Sequence, residues 1–102
     1  MHFMLYNKSK LIGYNCLKFC EFINDKFILL DSFIVSPMYQ KKGISNILLA
    51  KSLNKICLLK SNSFLYANRK SFSLYKSFGW KRISKSYFLP KKPNRILMGF
   101  SI

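Results

Sequence analysis

The period of the apolar residues changes once along the chain, between residues 36 and 43, and this change limits the folds that the sequence can adopt. Before it, Phe3–Tyr6, Leu11–Phe22 and Phe27–Val35 are rich in β-branched and aromatic residues and are joined by short turns, which predicts an antiparallel strand meander. After it, apolar residues recur at spacings of three and four from Ile44 to Leu59, which predicts an amphipathic helix.

The rest of the chain continues this mixture. Phe64–Ala67 is predicted to be a buried strand, and Asn68–Phe78 a second helix that Gly79 ends as its C′ residue. Two further strands are predicted around Trp80–Phe88 and Arg95–Phe100. The order is β-β-β-α-β-α-β-β. We therefore expect an α+β fold, a mixed and mainly antiparallel sheet with helices, in one domain of 102 residues.

Composition supports a packed core and argues against a membrane protein. Half of the residues are hydrophobic, with ten Phe and six Tyr. The apolar runs fall short of the ~18 residues of a membrane span, and the N-terminus lacks the pattern of a signal peptide, so we expect a cytoplasmic protein without a membrane partner. One histidine and three cysteines without a CxxC pair predict no metal site.

Charge is the unusual quantity in this composition. Eighteen Lys and Arg stand against three acids, which gives a formal net charge of +15. A field of this sign favours anionic partners, such as a phosphorylated cofactor, a nucleic acid or an acidic membrane surface. A mechanism that needs two carboxylates is nearly excluded, because only Glu21, Asp25 and Asp31 are present.

One segment, Val35–Ser45, has the features of a phosphate-binding loop. It joins a buried strand to a helix start, where unpaired backbone N–H groups lie at the positive end of the helix dipole. Gly43 would let a ligand approach the backbone, and Lys41 and Lys42 add positive charge. The alternative is an ordinary strand-to-helix turn in which the glycine only relieves backbone strain.

The residues of this loop resemble a known motif. Val35-Ser36-Pro37 followed by Gln40-Lys41-Lys42-Gly43-Ile44-Ser45 is similar to the acetyl-CoA pyrophosphate loop of the GNAT acyltransferase superfamily, V-x-P and then Q/R-x-x-G-x-G/A. The last position departs from the pattern, since Ser45 replaces Gly or Ala. Serine is small enough to preserve the approach of the backbone to a ligand.

A second resemblance follows in the expected order along the chain. The superfamily pattern N-x-x-A-x-x-x-Y-x-x-x-G-F is matched in spacing by Asn68, Ser71, Tyr75, Gly79 and Trp80, with Ser71 and Trp80 as mild departures. The chain thus resembles a minimal GNAT-like N-acetyltransferase that uses acetyl-CoA.

This resemblance implies a set of roles. Tyr75 would protonate the leaving CoA thiolate as a general acid, and Asp31 is the only candidate for the acid that deprotonates the acceptor amine. Each has a structural alternative, Tyr75 as a core aromatic between Phe72 and Phe78, and Asp31 as an ordinary surface acid. The residues implied in binding acetyl-CoA are Ile34, Val35, Gln40, Lys41, Lys42, Gly43, Ile44, Ser45 and Asn68.

The acceptor is less well defined. The resemblance covers residues 10–100, without the first strand and the two helices that shape the acceptor pocket of the family. Three outcomes remain open: a macromolecular acceptor on an exposed surface, a homodimer that completes the pocket, or loss of catalysis. The charge favours an anionic acceptor, either RNA such as aminoacyl-tRNA, which some GNAT toxins acetylate, or a lysine of an acidic protein. The competing interpretation is a non-catalytic basic protein that binds nucleic acid or binds CoA in a regulatory role.

Overall fold

The computed structural model of the chain describes residues 1–40, 43–84, 89–90 and 92–101. It confirms the predicted α+β class and the order of the elements. The longer helix has 15 residues, and no helix in these described ranges is long and apolar enough to cross a membrane. The strands are β1 (His2–Asn7), β2 (Lys10–Phe22), β3 (Asp25–Val35), β4 (Ser63–Ala67), β5 (Lys81–Arg82) and β6 (Ile96–Phe100), the α-helices are α1 (Ile44–Leu58) and α2 (Phe72–Ser77), and Pro37–Tyr39 forms a 3₁₀ turn.

The six strands form one sheet in the order β1-β2-β3-β4-β6-β5. Every pairing is antiparallel except that of β3 with β4, which α1 connects as a crossover. The parallel pairing is short and joins Ile28–Leu30 to Ser63–Leu65. The two parallel strands therefore pair near their amino ends and not along their carboxyl ends.

Both helices pack on the same face of the sheet. The buried Asn15 of β2 donates a hydrogen bond through Nδ2 to Oγ of Ser52 on α1, at 2.6 Å. Phe33 of β3 pairs with Asn15 and so shares its face, and the ring of Phe33 packs edge-on against Tyr75 of α2 at 5.9 Å. We call this the helix face. Its buried core consists of Leu17, Ile28, Leu30, Leu49, Leu53, Ile56, Leu65, Ala67, Tyr75, Trp80 and Met98.

Two predicted elements are shorter in the structure. The second helix was predicted from Asn68 but begins at Phe72, because Asn68–Ser71 form a capping turn. The strand predicted around Trp80–Phe88 is observed only as Lys81–Arg82 and does not include Ile83 or Ser84. The remainder of that prediction, residues 85–88, lies outside the described residues.

Gly13 sets the distance between β2 and α1. A Cβ atom at this position would lie 2.9 Å from Cδ1 of Leu48 and 3.2 Å from Cγ2 of Ile44, both at the start of α1. The register between β1 and β2 shifts beside it, since Leu5 pairs with Gly13 and Tyr6 with Leu11. A glycine inside a strand is typical of a bulge or of close packing by a neighbouring element, and Gly13 has both a bulge beside it and α1 packed against it.

We expect Gly13→Val to lower the free energy of unfolding by about 1–3 kcal/mol, the usual cost of overpacking a core. The added methyl groups would push the first turn of α1 away from the sheet. Urea unfolding followed by circular dichroism measures this loss. A suitable control is Ser9→Val in the exposed β1–β2 turn, which should change stability by less than about 0.5 kcal/mol. Equal effects of the two changes would contradict the role of Gly13.

Candidate functional site

The sheet is open between the carboxyl ends of β3 and β4. Cys16 of β2 pairs with Ser32, and the next residue, Leu17, pairs with Leu30, so Asp31 is an extra residue that forms a bulge in β3. The pairing of β3 with β4 ends at the same level, at Leu30 and Leu65. The bulge turns β3 away from β4, and a cleft of about 540 Å³ lies at the gap.

Residues from both sequence motifs line this cleft, together with residues that neither motif contains. The strand β3 and the loop that follows it form one wall, and the end of β4 and the start of α2 form the other. The lining residues are Leu30, Asp31, Phe33, Val35, Gln40, Ser45, Tyr66, Asn68, Lys70, Ser71, Leu74, Tyr75 and Arg95.

The cleft passes from one face of the sheet to the other. Phe33 lies on the helix face, as shown above. Tyr66 lies on the opposite face, because its neighbours Leu65 and Ala67 are buried in the core of the helix face and side chains alternate along a strand. Burial raises the pKa of the Tyr14 hydroxyl, and Cys16 and the carboxylate of the exposed Asp31 raise it further, so Asp31 lies close to Tyr14. Tyr14 adjoins Gly13, which faces α1, so Asp31 and Tyr14 lie toward the opposite face.

The amino end of α1 borders the cleft through Ser45. Gly43 is the N-cap with φ of +79°, a conformation that glycine adopts without strain, and its carbonyl accepts the N–H of Ile47 at 3.1 Å. In the described residues no side chain caps this end, and the first turn contains no acid. The unpaired N–H groups and the helix dipole are therefore available to an anion. Lys41 and Lys42, predicted to assist here, lie outside the described residues.

Glycine at position 43 is required by the backbone conformation and not by crowding. A Cβ atom there would meet no atom within 4 Å among the described residues. Among the described residues the space beside this Cβ position is open, which the approach of a ligand to the backbone of Gly43 would require. The alternative interpretation, a turn that needs glycine for its positive φ, is compatible with the same geometry.

Gln40 and Ile34 are two of the residues predicted to bind the cofactor, and their side chains are placed differently. Gln40 donates through Nε2 to the carbonyl of Val35 at 3.3 Å, so it ties the loop to the end of β3. Ile34 is 63% exposed and its side chain does not line the cleft. Only the backbone of Ile34 is in a position to take part.

Asn68 is held by its own turn. Its Oδ1 accepts the backbone N–H of Ser71 at 2.8 Å, and its N–H donates to Oγ of Ser71 at 3.1 Å. This reciprocal pair is a cap for the start of α2. Because a backbone N–H can only donate, the amide oxygen of Asn68 is fixed as the acceptor. Its Nδ2 group has no partner among the described residues, and it can donate to a ligand in the cleft.

Tyr75 combines the two interpretations that the sequence left open. It is 5% exposed and belongs to the core, packing edge-on against Phe33 at 5.9 Å and Trp80 at 6.4 Å. It also lines the cleft. Burial raises the pKa of its hydroxyl to about 12. At neutral pH the phenol is therefore protonated. Its hydroxyl has no hydrogen-bond partner in the described ranges and is free to donate a hydrogen bond.

Sequence reasoning missed three polar lining residues, Tyr66, Lys70 and Arg95, and also the apolar Leu30 and Leu74. Tyr66 donates through its hydroxyl to the carbonyl of Pro90 at 2.5 Å, and Nζ of Lys92 lies 4.5 Å from its ring centroid. These contacts hold the segment before β6 against the cleft. The alternation of Leu65, Tyr66 and Ala67 predicts the outward position of Tyr66, but no local pattern brings Arg95 to β3.

The chain belongs to the acetyltransferase (GNAT) family, whose sequence profile matches residues 1–80. The loop motif, Val35–Ser45, lies within this range, and the second motif, Asn68–Trp80, ends at its last residue. No curated protein sequence matches the chain.

Several solved structures share the fold of this chain. Arabidopsis thaliana Naa50, bound to the bisubstrate analogue CoA-Ac-MVNAL, has a TM-score of 0.79 and 16% identity over 99% of this chain and 72% of its own. The PaiA N-acetyltransferase of Thermoplasma acidophilum, bound to coenzyme A, has a TM-score of 0.77 and 22% identity. The match covers 100% of this chain and 60% of that protein. A mutant of the toxin AtaT, bound to the C-terminus of the antitoxin AtaR, has a TM-score of 0.69 and 19% identity. The match covers 97% of this chain and 64% of that protein. The chain thus spans about two thirds of the length of these neighbours.

The raised pKa of Tyr75 predicts a specific alkaline loss of stability. Its ordinary pKa is 10 and its folded value is about 12, so the folded state retains a proton that the unfolded chain releases above pH 10. The stabilisation is complete below pH 10 and is lost as the pH rises toward 12. Between pH 8 and pH 11, urea unfolding should show that the wild type loses about 1 kcal/mol more than Tyr75→Phe. Equal losses would mean that the hydroxyl is not shielded.

Proposed function

We propose that this protein is an N-acetyltransferase that moves an acetyl group from acetyl-CoA to an amine on a macromolecular acceptor. One observation carries the proposal: the cleft through the sheet is lined by members of both motifs, Gln40 and Ser45 on one side and Asn68 and Tyr75 on the other. Acetyl-CoA would enter from the helix face and the acceptor from the opposite face, so that the two meet in the gap.

The residues on the helix face fit acetyl-CoA. The open end of α1, from Gly43 to Ser45, suits the pyrophosphate, with Lys41 and Lys42 as added charge. Beyond Leu30 the edge of β3 that faces β4 has no described strand partner. The backbone groups of Ile34 and Val35 and Nδ2 of Asn68 are suited to the amides of the pantetheine arm. When bound, acetyl-CoA supplies a thioester that is attacked at its carbonyl carbon and loses its thiol.

The pKa of Tyr75 refines its proposed role. A thiol has an ordinary pKa of about 8.5, so complete proton transfer from a phenol of pKa about 12 would be uphill by roughly 5 kcal/mol. We therefore assign Tyr75 first as a hydrogen-bond donor to the departing sulfur. This bond strengthens as negative charge develops, and such preorganised donors stabilise transition states by about 3 kcal/mol each. The general-acid role, with full transfer of the proton, is the limiting case.

Asp31 is proposed to act on the acceptor. Its exposed carboxylate stands at the bulge, where the cleft reaches the face opposite the helices. There it can bind an ammonium group and receive its proton directly or through water. The acceptor is then an amine carried by RNA, as in aminoacyl-tRNA, or a lysine of an acidic protein, because the net charge of +15 attracts either. The homodimer that the sequence left open would instead complete the acceptor side of the cleft with residues of a second subunit.

Acetyl-CoA should raise the melting temperature. At 100 times its dissociation constant a ligand stabilises a protein by about 2.7 kcal/mol, which for a domain of this size is a shift of roughly 10 °C. Gly43→Val should remove this shift, because its side chain strains the N-cap and fills the space in front of α1. Gly79→Val is the matched control. Gly79 also has a positive φ, of +100°, but does not line the cleft, so the variant should be less stable and keep the shift. No shift for the wild type would contradict the proposal.

Tyr75→Phe should keep the acetyl-CoA shift and lower turnover by about 100-fold, the effect of losing one donor in a transition state. Turnover is measured as labelled acetyl transferred to fractionated cell RNA and protein. Tyr6→Phe, outside both the cleft and the Val35–Ser45 loop, is the control and should keep full activity. Unchanged turnover in Tyr75→Phe would remove Tyr75 from the mechanism. Binding of acetyl-CoA without any transfer by the wild type would instead support a CoA-binding regulatory protein.

A further inference from the structure

One face of the sheet is not covered by either helix. Gly13 and Asn15 of β2 face α1, so the intervening Tyr14 points the other way. Met4 pairs with Tyr14, and His2 pairs with Cys16, so these side chains share that direction. We call the surface formed by His2, Met4, Tyr6, Tyr14, Cys16 and Ile34 the open face. Met4 is 51%, Tyr6 56% and Ile34 63% exposed.

The open face carries a platform of aromatic rings. His2 and Tyr14 are stacked with centroids 5.7 Å apart and planes inclined by 28°, and Nδ1 of His2 lies 2.6 Å from the hydroxyl of Tyr14. Tyr6 follows Met4 on the same side of β1, and its hydroxyl contacts the sulfur of Met4 at 3.6 Å. Tyr6 is exposed and Tyr14 is half-buried, and aromatic rings that are accessible on the face of a sheet are surfaces on which nucleic-acid bases stack.

Cations lie near both ends of this platform. Lys8 and Lys10 are in and next to the β1–β2 turn beside Tyr6, and Lys18 continues the row of Tyr14 and Cys16 along β2. On the far side of the cleft, Lys92 lies over the ring of Tyr66. A second copy of this chain would bring the same cations and another net charge of +15 against them. A polyanion would be attracted by the same arrangement.

We propose that the open face binds single-stranded nucleic acid. Bases stack on Tyr6 and on the His2–Tyr14 pair, and the lysines at the rim contact phosphates. The cleft reaches this face beside Asp31 and Tyr14, so a strand that lies here delivers an attached amine to the acetyl-transfer site. This last step rests on the proposed function. The binding itself does not.

Fluorescence anisotropy without acetyl-CoA tests the binding. The probes are fluorescein-labelled oligomers of about 15 nucleotides, as single-stranded RNA, single-stranded DNA and duplex DNA. Single strands should bind more tightly than the duplex, and RNA compared with DNA identifies which sugar is preferred. Tyr6→Ala and Tyr14→Ala should each weaken binding by about tenfold, within the range of a base–aromatic stack. Tyr6→Phe should bind like the wild type.

Phe19→Ala is the matched control. Phe19 is an aromatic residue of β2, 57% exposed, on the row of Asn15 and Leu17 and therefore not on the open face. Its loss should leave binding unchanged, and thermal melting should show that all variants are folded. If Tyr6→Ala and Tyr14→Ala bind like the wild type, or if only a duplex binds, the proposal is overturned.

Two further outcomes separate this proposal from others. If no oligomer binds, and Tyr6→Ala converts a dimer to a monomer in light scattering, the open face is a protein interface and the proposal fails. The acetyl-CoA melting shift is measured on the same variants. A preserved shift with no binding of nucleic acid overturns this proposal and leaves the acetyltransferase proposal in place, and the reverse result overturns only the latter.

Discussion

The feature on which the site depends is the early end of the pairing between β3 and β4. Only three residue pairs join these parallel strands, and the extra residue at Asp31 turns β3 away immediately afterwards. Backbone groups that leave a ladder in the middle of a protein need other partners, since an unpaired buried N–H or C=O is costly. The amides of the proposed pantetheine arm would meet that need. The bulge therefore creates the space and also the hydrogen-bonding edge that lines it.

The position of α1 relative to this gap is fixed by contacts outside the cleft. Gly13 allows the first turn of the helix to lie against β2, and Asn15 bonds to Ser52 in the buried interface. A buried polar pair of this kind fixes the rotation and register of a helix more sharply than apolar packing, because a displaced helix would leave the buried Nδ2 group of Asn15 without its acceptor. Ser52 in turn donates to the carbonyl of Leu48 at 2.9 Å. As a result the uncapped end of α1 is directed at the gap.

The sequence predicts the elements and the two motifs, because these depend on local periodicity and on glycine and asparagine at set spacings. It misplaces the start of α2, since Asn68 prefers to bond Ser71 through its side chain rather than to enter the helix. The bulge at Asp31 depends on the register against β2 and has no local signal. Arg95 reaches the cleft only because β6 pairs with β4, a contact between distant parts of the chain.

Electrostatics then constrain the kind of acceptor that the cleft can use. Asp31 is one of only three acids, and the others, Glu21 and Asp25, lie at the distant β2–β3 turn. A free ammonium ion is repelled by the overall charge of +15 and attracted by one carboxylate only at close range, since screening limits its reach to about 10 Å. An amine attached to a polyanion avoids this conflict, because the carrier is attracted at long range and the ammonium needs Asp31 only at the end. The single acid at the bulge and the excess of lysines elsewhere therefore both fit the proposed acceptor, an amine carried by a polyanion.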